Sequence, residues 1–190
     1  MANLNNKRVA ILATHGVEQS EIQQPINALE DAGAQYDVLT PNGDKSIKAW
    51  NEDNWGEDIK VSKSIKDANY DDYDMLFLPG GTLNADQLRQ EEHAINFSRD
   101  FLVKGKPVAT ICHGAQTLIE TGMLKDRRMT CYPAISTDIQ NAGAIYESKE
   151  VIVDKGLVTS RHPGDLDPFC DKLVEELEEG KHEALKEENR

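Results

Sequence analysis

Cys112, in the run Val108-Ala109-Thr110-Ile111-Cys112-His113-Gly114-Ala115-Gln116, is the residue of this chain best placed to do chemistry. The apolar, β-branched stretch before it reads as a buried strand, and Pro107 suits a strand's first residue. Gly114 opens a segment to Thr121 that reads as a helix stopped by Gly122. Cys112 then falls in the turn between strand and helix, where nucleophile-elbow enzymes carry their attacking atom. Unpaired amides of the first helical turn would face the sulfur and favour its thiolate. The competing reading is an ordinary core cysteine, since free Cys is among the most buried residue types.

Two other loops carry suitable groups. His15-Gly16-Val17-Glu18-Gln19-Ser20-Glu21 places carboxylates at Glu18 and Glu21, three apart. Pro79-Gly80-Gly81 follows an apolar strand, and its glycines let the backbone approach a ligand and offer N–H groups. Acid, anion-stabilising loop and nucleophile are together the ingredients of covalent catalysis. Each has a plainer alternative: Glu18 and Glu21 as charges favoured by a helix start, and Gly80-Gly81 as a tight turn.

The elements that must position these loops alternate along the chain. Strands are expected at Arg8–Ala13, Gln35–Leu39, Asp74–Leu78, Val108–Ile111, Arg128–Cys131, Ile145–Tyr146, Val151–Asp154 and Leu157–Ser160. Helices are expected at about Glu21–Ala32, Glu92–Val103, Gly114–Thr121 and Leu166–Leu177. Asp44 to Asp58, with Trp50 and Trp55, reads as a polar excursion or small hairpin. Such alternation means a doubly wound α/β layer with a mainly parallel sheet, whose ligands gather outside the carboxyl ends of the strands.

The 190 residues suit a single α/β domain over 1–190, with an acidic tail at about 178–190. A net charge of −13 argues against nucleic-acid binding, which needs a basic footprint. No stretch has the length and apolarity of a signal peptide or membrane span. Three widely spaced cysteines, Cys112, Cys131 and Cys170, make neither a disulfide framework nor a zinc spacing, so a reducing cytoplasm is expected and no metal is signalled.

The strings VATICHGAQTLIETGML, LFLPGGTLNADQLR, QNAGAIY and EVIVDKGLVTSRHPGDL resemble the PfpI family of intracellular cysteine proteases and protein deglycases. That family lies in the superfamily of the Parkinson's-disease-associated deglycase, among class I glutamine amidotransferase-like domains. The resemblance runs from about Lys7 to Leu177 and implies a flavodoxin-like sandwich that forms dimers or larger oligomers. It puts Cys112 in the place of the nucleophile and Glu21 in that of the glutamate bonded to the sulfur. Glu18 takes the place of a second acid, and His113 that of the histidine following the nucleophile. Asp86 matches an acid reaching that histidine from a neighbouring subunit, in a loop where Ala85 replaces the common proline. Adjacent side chains in a sharp turn tend to diverge, so His113 need not touch the sulfur.

His162-Pro163-Gly164-Asp165 is a second histidine segment at the same sheet edge. Amidotransferases place a His-Pro-Glu near their nucleophile, but Gly164 stands where the glutamate would be, so that triad is incomplete. His162 is otherwise a polar loop residue. The leading functional expectation is a cofactor-free cysteine hydrolase acting on glyoxal, methylglyoxal or their early amine and thiol adducts. A cysteine peptidase and a redox-sensing or chaperone-like stress protein are the alternatives.

Overall fold

A computed structural model describes residues 4–182. In chain order the elements are β1 Arg8–Leu12, β2 Val17–Glu18, α1 Gln19–Asp31, β3 Gln35–Thr40, β4 Ser46–Asn51, β5 Asn54–Lys60, β6 Lys63–Ser64, β7 Met75–Leu78 and α2 Thr82–Leu88. There follow α3 Glu92–Val103, β8 Val108–Ile111, α4 Ala115–Ile119, β9 Arg128–Met129, α5 Ser136–Asn141, β10 Ile145–Tyr146, β11 Val151–Asp154, β12 Leu157–Ser160 and α6 Leu166–Glu179.

A seven-stranded sheet in the order β11-β12-β8-β7-β1-β3-β6 forms the middle layer. Every pairing in it is parallel except that of β11 with β12. Side chains alternate across β1 as a strand buried on both faces requires. Val9 and Ile11 join Ile22, Ile26 and Leu29 of α1 and Phe169, Leu173 and Leu177 of α6 in one core. Ala10 and Leu12 join Phe97 and Phe101 of α3 and Leu118 of α4 in the other. Helices on both faces of a mainly parallel sheet make the doubly wound sandwich expected from the alternation.

The expected strands and helices stand within a few residues of their places, with three departures. The polar stretch from Asp44 is a hairpin, β4 and β5, that extends past Asp58 to Lys60 and joins β2 in a separate three-stranded sheet. Its tryptophans pair across the hairpin with ring centroids 5.4 Å apart. The expected strand to Cys131 stops at Met129, leaving Cys131 buried beyond it. The helix expected from Gly114 starts one residue later, after a 3₁₀ turn over Cys112–Gly114. In the expected acidic tail, Glu178 and Glu179 complete α6, whereas 183–190 lie outside the described residues.

Candidate active site

The elbow is formed by close backbone packing. Thr110 Oγ1 donates to the Leu78 carbonyl at 3.1 Å, fastening the end of β8 to β7. Gly114 then crosses that junction so closely that a Cβ would lie 2.5 Å from the Leu78 carbonyl oxygen and 2.8 Å from that of Pro79. Between them Cys112 adopts φ +60°, a left-handed conformation rare for side chains other than glycine, asparagine and aspartate. This turn leaves the side chain 7% exposed, at the base of a cleft.

Asn84, on α2, ties the remaining loops together. It is fully buried; its Oδ1 accepts from the Thr14 N–H at 2.7 Å, and its Nδ2 donates to the Pro79 and Gly80 carbonyls at 3.0 and 2.9 Å. The Glu18 N–H donates to the Gly80 carbonyl at 3.3 Å. Gly80 has no room for a side chain: a Cβ would stand 2.1 Å from Glu21 Oε2 and 2.7 Å from Cys112 Cβ. Gly81, at φ +94°, would drive one to 2.3 Å from the Gly16 carbonyl.

Glu21 enters this junction from the first turn of α1 with no exposed surface. Neither carboxyl oxygen completes a hydrogen bond of normal geometry. Burial, with a smaller push from the charge of Glu18, raises its pKa to about 8, opposed by the Cys112 sulfur and the Gly80 amide. A carboxyl in that state is mostly protonated at neutral pH.

The Cys112 thiol is also pushed up, by burial first and by the Glu21 charge second. The amides of His113 and Gly81 pull the other way, so the backbone favours the thiolate as expected from the turn, but burial outweighs it. The expectation of a net thiolate preference is thereby corrected. The two groups titrate as a pair, since ionising one opposes ionising the other. His113 also differs from expectation, because its Nδ1 lies 3.3 Å from Sγ rather than diverging. Its ring stacks on Tyr132 at 4.7 Å, and burial lowers its pKa, so it is neutral at neutral pH. Among the described residues no carboxylate is bonded to it.

A cleft of about 550 Å³ opens above the sulfur. Glu18 and Glu21 line it as the sequence suggested, joined by Trp50 and Glu52 of the hairpin, Leu83 of α2, Tyr132 and Pro163. Glu18 is half-buried with its pKa raised, mainly by burial. The hairpin residues and Tyr132 carry no local motif; Trp50 and Trp55 in a polar stretch were the one sequence signal that could have pointed to the hairpin.

Two expected participants stand outside the cleft lining. Asp86 lies in α2, not in a loop, with an exposed side chain that accepts from Gln90 Nε2 at 3.4 Å. Within this chain it does not reach His113. His162 is turned onto its own 3₁₀ turn, Nδ1 accepting from the Gly164 N–H at 3.2 Å, while its neighbour Pro163 faces the cleft. Among the described residues, the one cluster with metal-ligand spacing is Glu176, Glu179 and His182, at the far end of α6.

Cys112 thus sits at a strained elbow, facing a buried glutamic acid over a Gly-Gly turn. The model described as the DJ-1/PfpI family matches residues 7–176. This chain belongs to the DJ-1/PfpI family. It is 38% identical over 164 residues to YraA of Bacillus subtilis, provisionally named a cysteine protease, covering 86% of this chain and 94% of that one. It is equally 38% identical over 166 residues to protein/nucleic acid deglycase 2 of Escherichia coli, with the same coverage. A two-domain protein of Anabaena variabilis, with DJ-1/ThiJ/PfpI-like and ferritin-like domains, superposes with a TM-score of 0.85 at 34% identity. The match spans 90% of this chain but 48% of that longer one. DJ-1/PfpI relatives thus carry both deglycase and protease names. No helix among the described residues is long and apolar enough to cross a membrane.

Proposed function

We propose that this chain is a single-domain, cofactor-free cysteine hydrolase that converts glyoxal and methylglyoxal, free or as early adducts of amines and thiols, to hydroxy acids. The observation that carries this reading is the pairing of Cys112 with the fully buried Glu21, whose burial favours its protonated form, while within one chain no carboxylate among the described residues is bonded to His113. An aldehyde carbon is electrophilic without help and the amine nitrogen of its early adduct is basic enough to take up a proton readily, whereas an amide needs oxyanion stabilisation and a proton delivered to its weakly basic leaving nitrogen by a firmly oriented general acid.

The chemistry balances with water as the only co-reactant. Neutral His113 Nδ1 takes the Cys112 proton as the sulfur attacks the former aldehyde carbon of a methylglyoxal adduct. The C–N or C–S bond of the adduct breaks, and the departing amine or thiol leaves with that proton. The resulting hemithioacetal loses a proton from its sulfur-bearing carbon and gains one on the neighbouring ketone carbon, oxidising the first carbon and reducing the second. Its hydroxyl proton passes to the new alcohol oxygen. Glu21, which holds a proton beside the sulfur, is the group placed to relay these transfers, with Glu18 beside it. The Gly81 and His113 amides face the Cys112 sulfur and favour its negative charge as the proton leaves. Water then cleaves the thioester, releasing lactate and restoring the thiol.

We further propose that the protein works in the cytoplasm, in keeping with three free cysteines, in stress protection, and as a homo-oligomer. In such an oligomer Asp86 and the exposed Leu83 of α2 would meet a neighbouring copy. Hydroxy-acid yield from methylglyoxal, measured beside casein cleavage for the wild type and Cys112→Ala, tests the central assignment. Cys112-dependent hydroxy acid with intact casein supports it; Cys112-dependent proteolysis without hydroxy acid replaces it with a peptidase.

A further inference from the structure

Two consecutive peptide units of the Pro79-Gly80-Gly81 turn are gripped by one side chain. Asn84 Nδ2 donates to the Pro79 carbonyl at 3.0 Å and to the Gly80 carbonyl at 2.9 Å. The Glu18 N–H adds a longer contact to the Gly80 carbonyl, at 3.3 Å, but Asn84 reaches both carbonyls. A trans peptide is planar, so its N–H points away from its carbonyl. Fixing the Pro79 carbonyl therefore aims the Gly80 N–H to the other side of the turn, and fixing the Gly80 carbonyl does the same for the Gly81 N–H. The reacting pair lies on that other side: the Gly80 amide faces the Glu21 carboxyl, and the Gly81 amide faces the Cys112 sulfur. The approach is so close that a Cβ on Gly80 would stand 2.1 Å from Glu21 Oε2 and 2.7 Å from Cys112 Cβ.

We infer that Asn84 is a positioning residue of the active site: by holding two successive carbonyls on its own side of the turn, it presents the Gly80 amide to Glu21 and the Gly81 amide to Cys112. Asn84 has no exposed surface and does not line the cleft, and its Oδ1 is anchored by the Thr14 N–H at 2.7 Å. One backbone N–H and two carbonyls around it call for one acceptor and two donors, which at this length only a carboxamide supplies. Both presented amides favour negative charge, on the carboxyl in one case and on the sulfur in the other. Without the side chain the two peptide units are free to turn, the thiol becomes a poorer acid, and Glu21 keeps its proton to higher pH. This role needs Cys112 to be the reacting group proposed above, and holds for whichever carbonyl it attacks.

Positioning and mere packing predict opposite signs. If Asn84 only filled space, its removal would admit water, relieve the burial that raises the thiol, and speed alkylation of Cys112. Loss of the aimed amides slows it instead. Native protein is treated with iodoacetamide at neutral pH and read at Cys112 by peptide mass spectrometry; the sulfur displaces iodide and the thiol proton passes to buffer. Asn84→Ala should react about fivefold more slowly than the wild type. Losing a charge-assisted bond cuts the thiolate about twentyfold, and the greater nucleophilicity of a less acidic thiol returns about fourfold. Asn84→Ser keeps one hydroxyl donor, should fall between the two, and stands in if the alanine variant does not fold. Thr121→Val breaks buried bonds to the Leu118 carbonyl and the Met123 N–H beyond α4, and should leave the rate unchanged. An Asn84→Ala rate equal to or above the wild type's, or a slowing matched by Thr121→Val, overturns the inference.

Turnover supplies the second arm. Asn84 does not touch substrate, so with methylglyoxal Asn84→Ala should lower kcat about tenfold and leave KM within about twofold. The alkaline limb of its kcat/KM profile should move above the wild type's, because Glu21 loses the amide that favours its ionised form. Glu18 and His113, the other titratable groups beside the pair, are retained in the variant. A loss confined to KM, or an alkaline limb that moves down, counts against positioning. Slowed alkylation of Asn84→Ala with no hydroxy acid from the wild type would sink the deglycase reading and leave the role of Asn84 standing. Hydroxy acid formed by Asn84→Ala at the wild-type kcat, with alkylation unchanged, would sink that role and leave the deglycase reading intact.

Discussion

Replacing Glu21 by glutamine should make the protein more stable and less active, and the size of the stability gain should depend on pH. The wild-type carboxyl has an ordinary pKa of 4.5 and is raised to about 8 in the fold. The native state therefore holds a proton that the unfolded chain releases between those values, and stability falls as pH rises through that window. The loss amounts to about 1 kcal/mol at about pH 5 and about 4 kcal/mol at about pH 7.5, approaching 5 kcal/mol above the folded pKa. Glutamine has nearly the same shape and stays neutral in both states, so it escapes this cost. Urea unfolding of the wild type and Glu21→Gln at the two pH values should show a gap that widens by about 3 kcal/mol. Turnover should drop by about 100-fold, the usual range for a lost acid–base group. A gap that is the same at both pH values would refute the protonated, buried acid, whatever happened to activity.

Other outcomes follow from the same geometry. The pH profile of kcat/KM should be bell-shaped, its acid limb below the ordinary histidine range as His113 takes a proton and its alkaline limb near 8 as Glu21 loses one; a rate that climbs steadily through 8 would contradict the role given to Glu21. Gly80→Ala should displace the Glu21 carboxyl and the Cys112 side chain, costing about 1–3 kcal/mol in thermal or urea unfolding and most of the turnover. His162→Ala should retain most activity, since that ring caps its own turn, and a loss as large as that of Cys112→Ala would place it in the chemistry. Light scattering at micromolar concentration should show an oligomer, and a strict monomer would contradict the proposed contact of Asp86 and Leu83 with a neighbouring copy.

The parts of this site that a sequence reveals are those set by local backbone rules. Val108–Ile111 followed by glycine-punctuated helix residues announces a strand, a turn and a helix, so the place of Cys112 could be read directly. Pro79-Gly80-Gly81 was legible in the same way, although the reason both positions must be glycine, the contacts with Glu21 and Gly16, is tertiary. Glu21 was legible as a position but not as a buried acid, because a carboxylate in the first turn of a helix is ordinarily solvated and favoured there. Its burial depends on α1 meeting the Gly80 turn. Helix α2 is hard to read from sequence because it is short and its buried Asn84 joins the Pro79-Gly80 turn to Thr14, seventy residues away. Trp50, Glu52 and Tyr132 reach the cleft only through long-range pairing, which no local spacing encodes. The thiol's pKa is not legible for a related reason: the amides that lower it are local, but the desolvation that overrides them belongs to the packed whole.

The central claim is that Cys112 carries the substrate as a thioester on its way to a hydroxy acid. Enzyme mixed with methylglyoxal, quenched in acid during turnover, desalted and then treated with neutral hydroxylamine tests this directly. A thioester at Cys112 should release lactohydroxamate, in proportion to enzyme and absent from Cys112→Ala. Recovery of only methylglyoxal oxime, the product expected from a reversible hemithioacetal, while lactate forms at an undiminished rate, would contradict it.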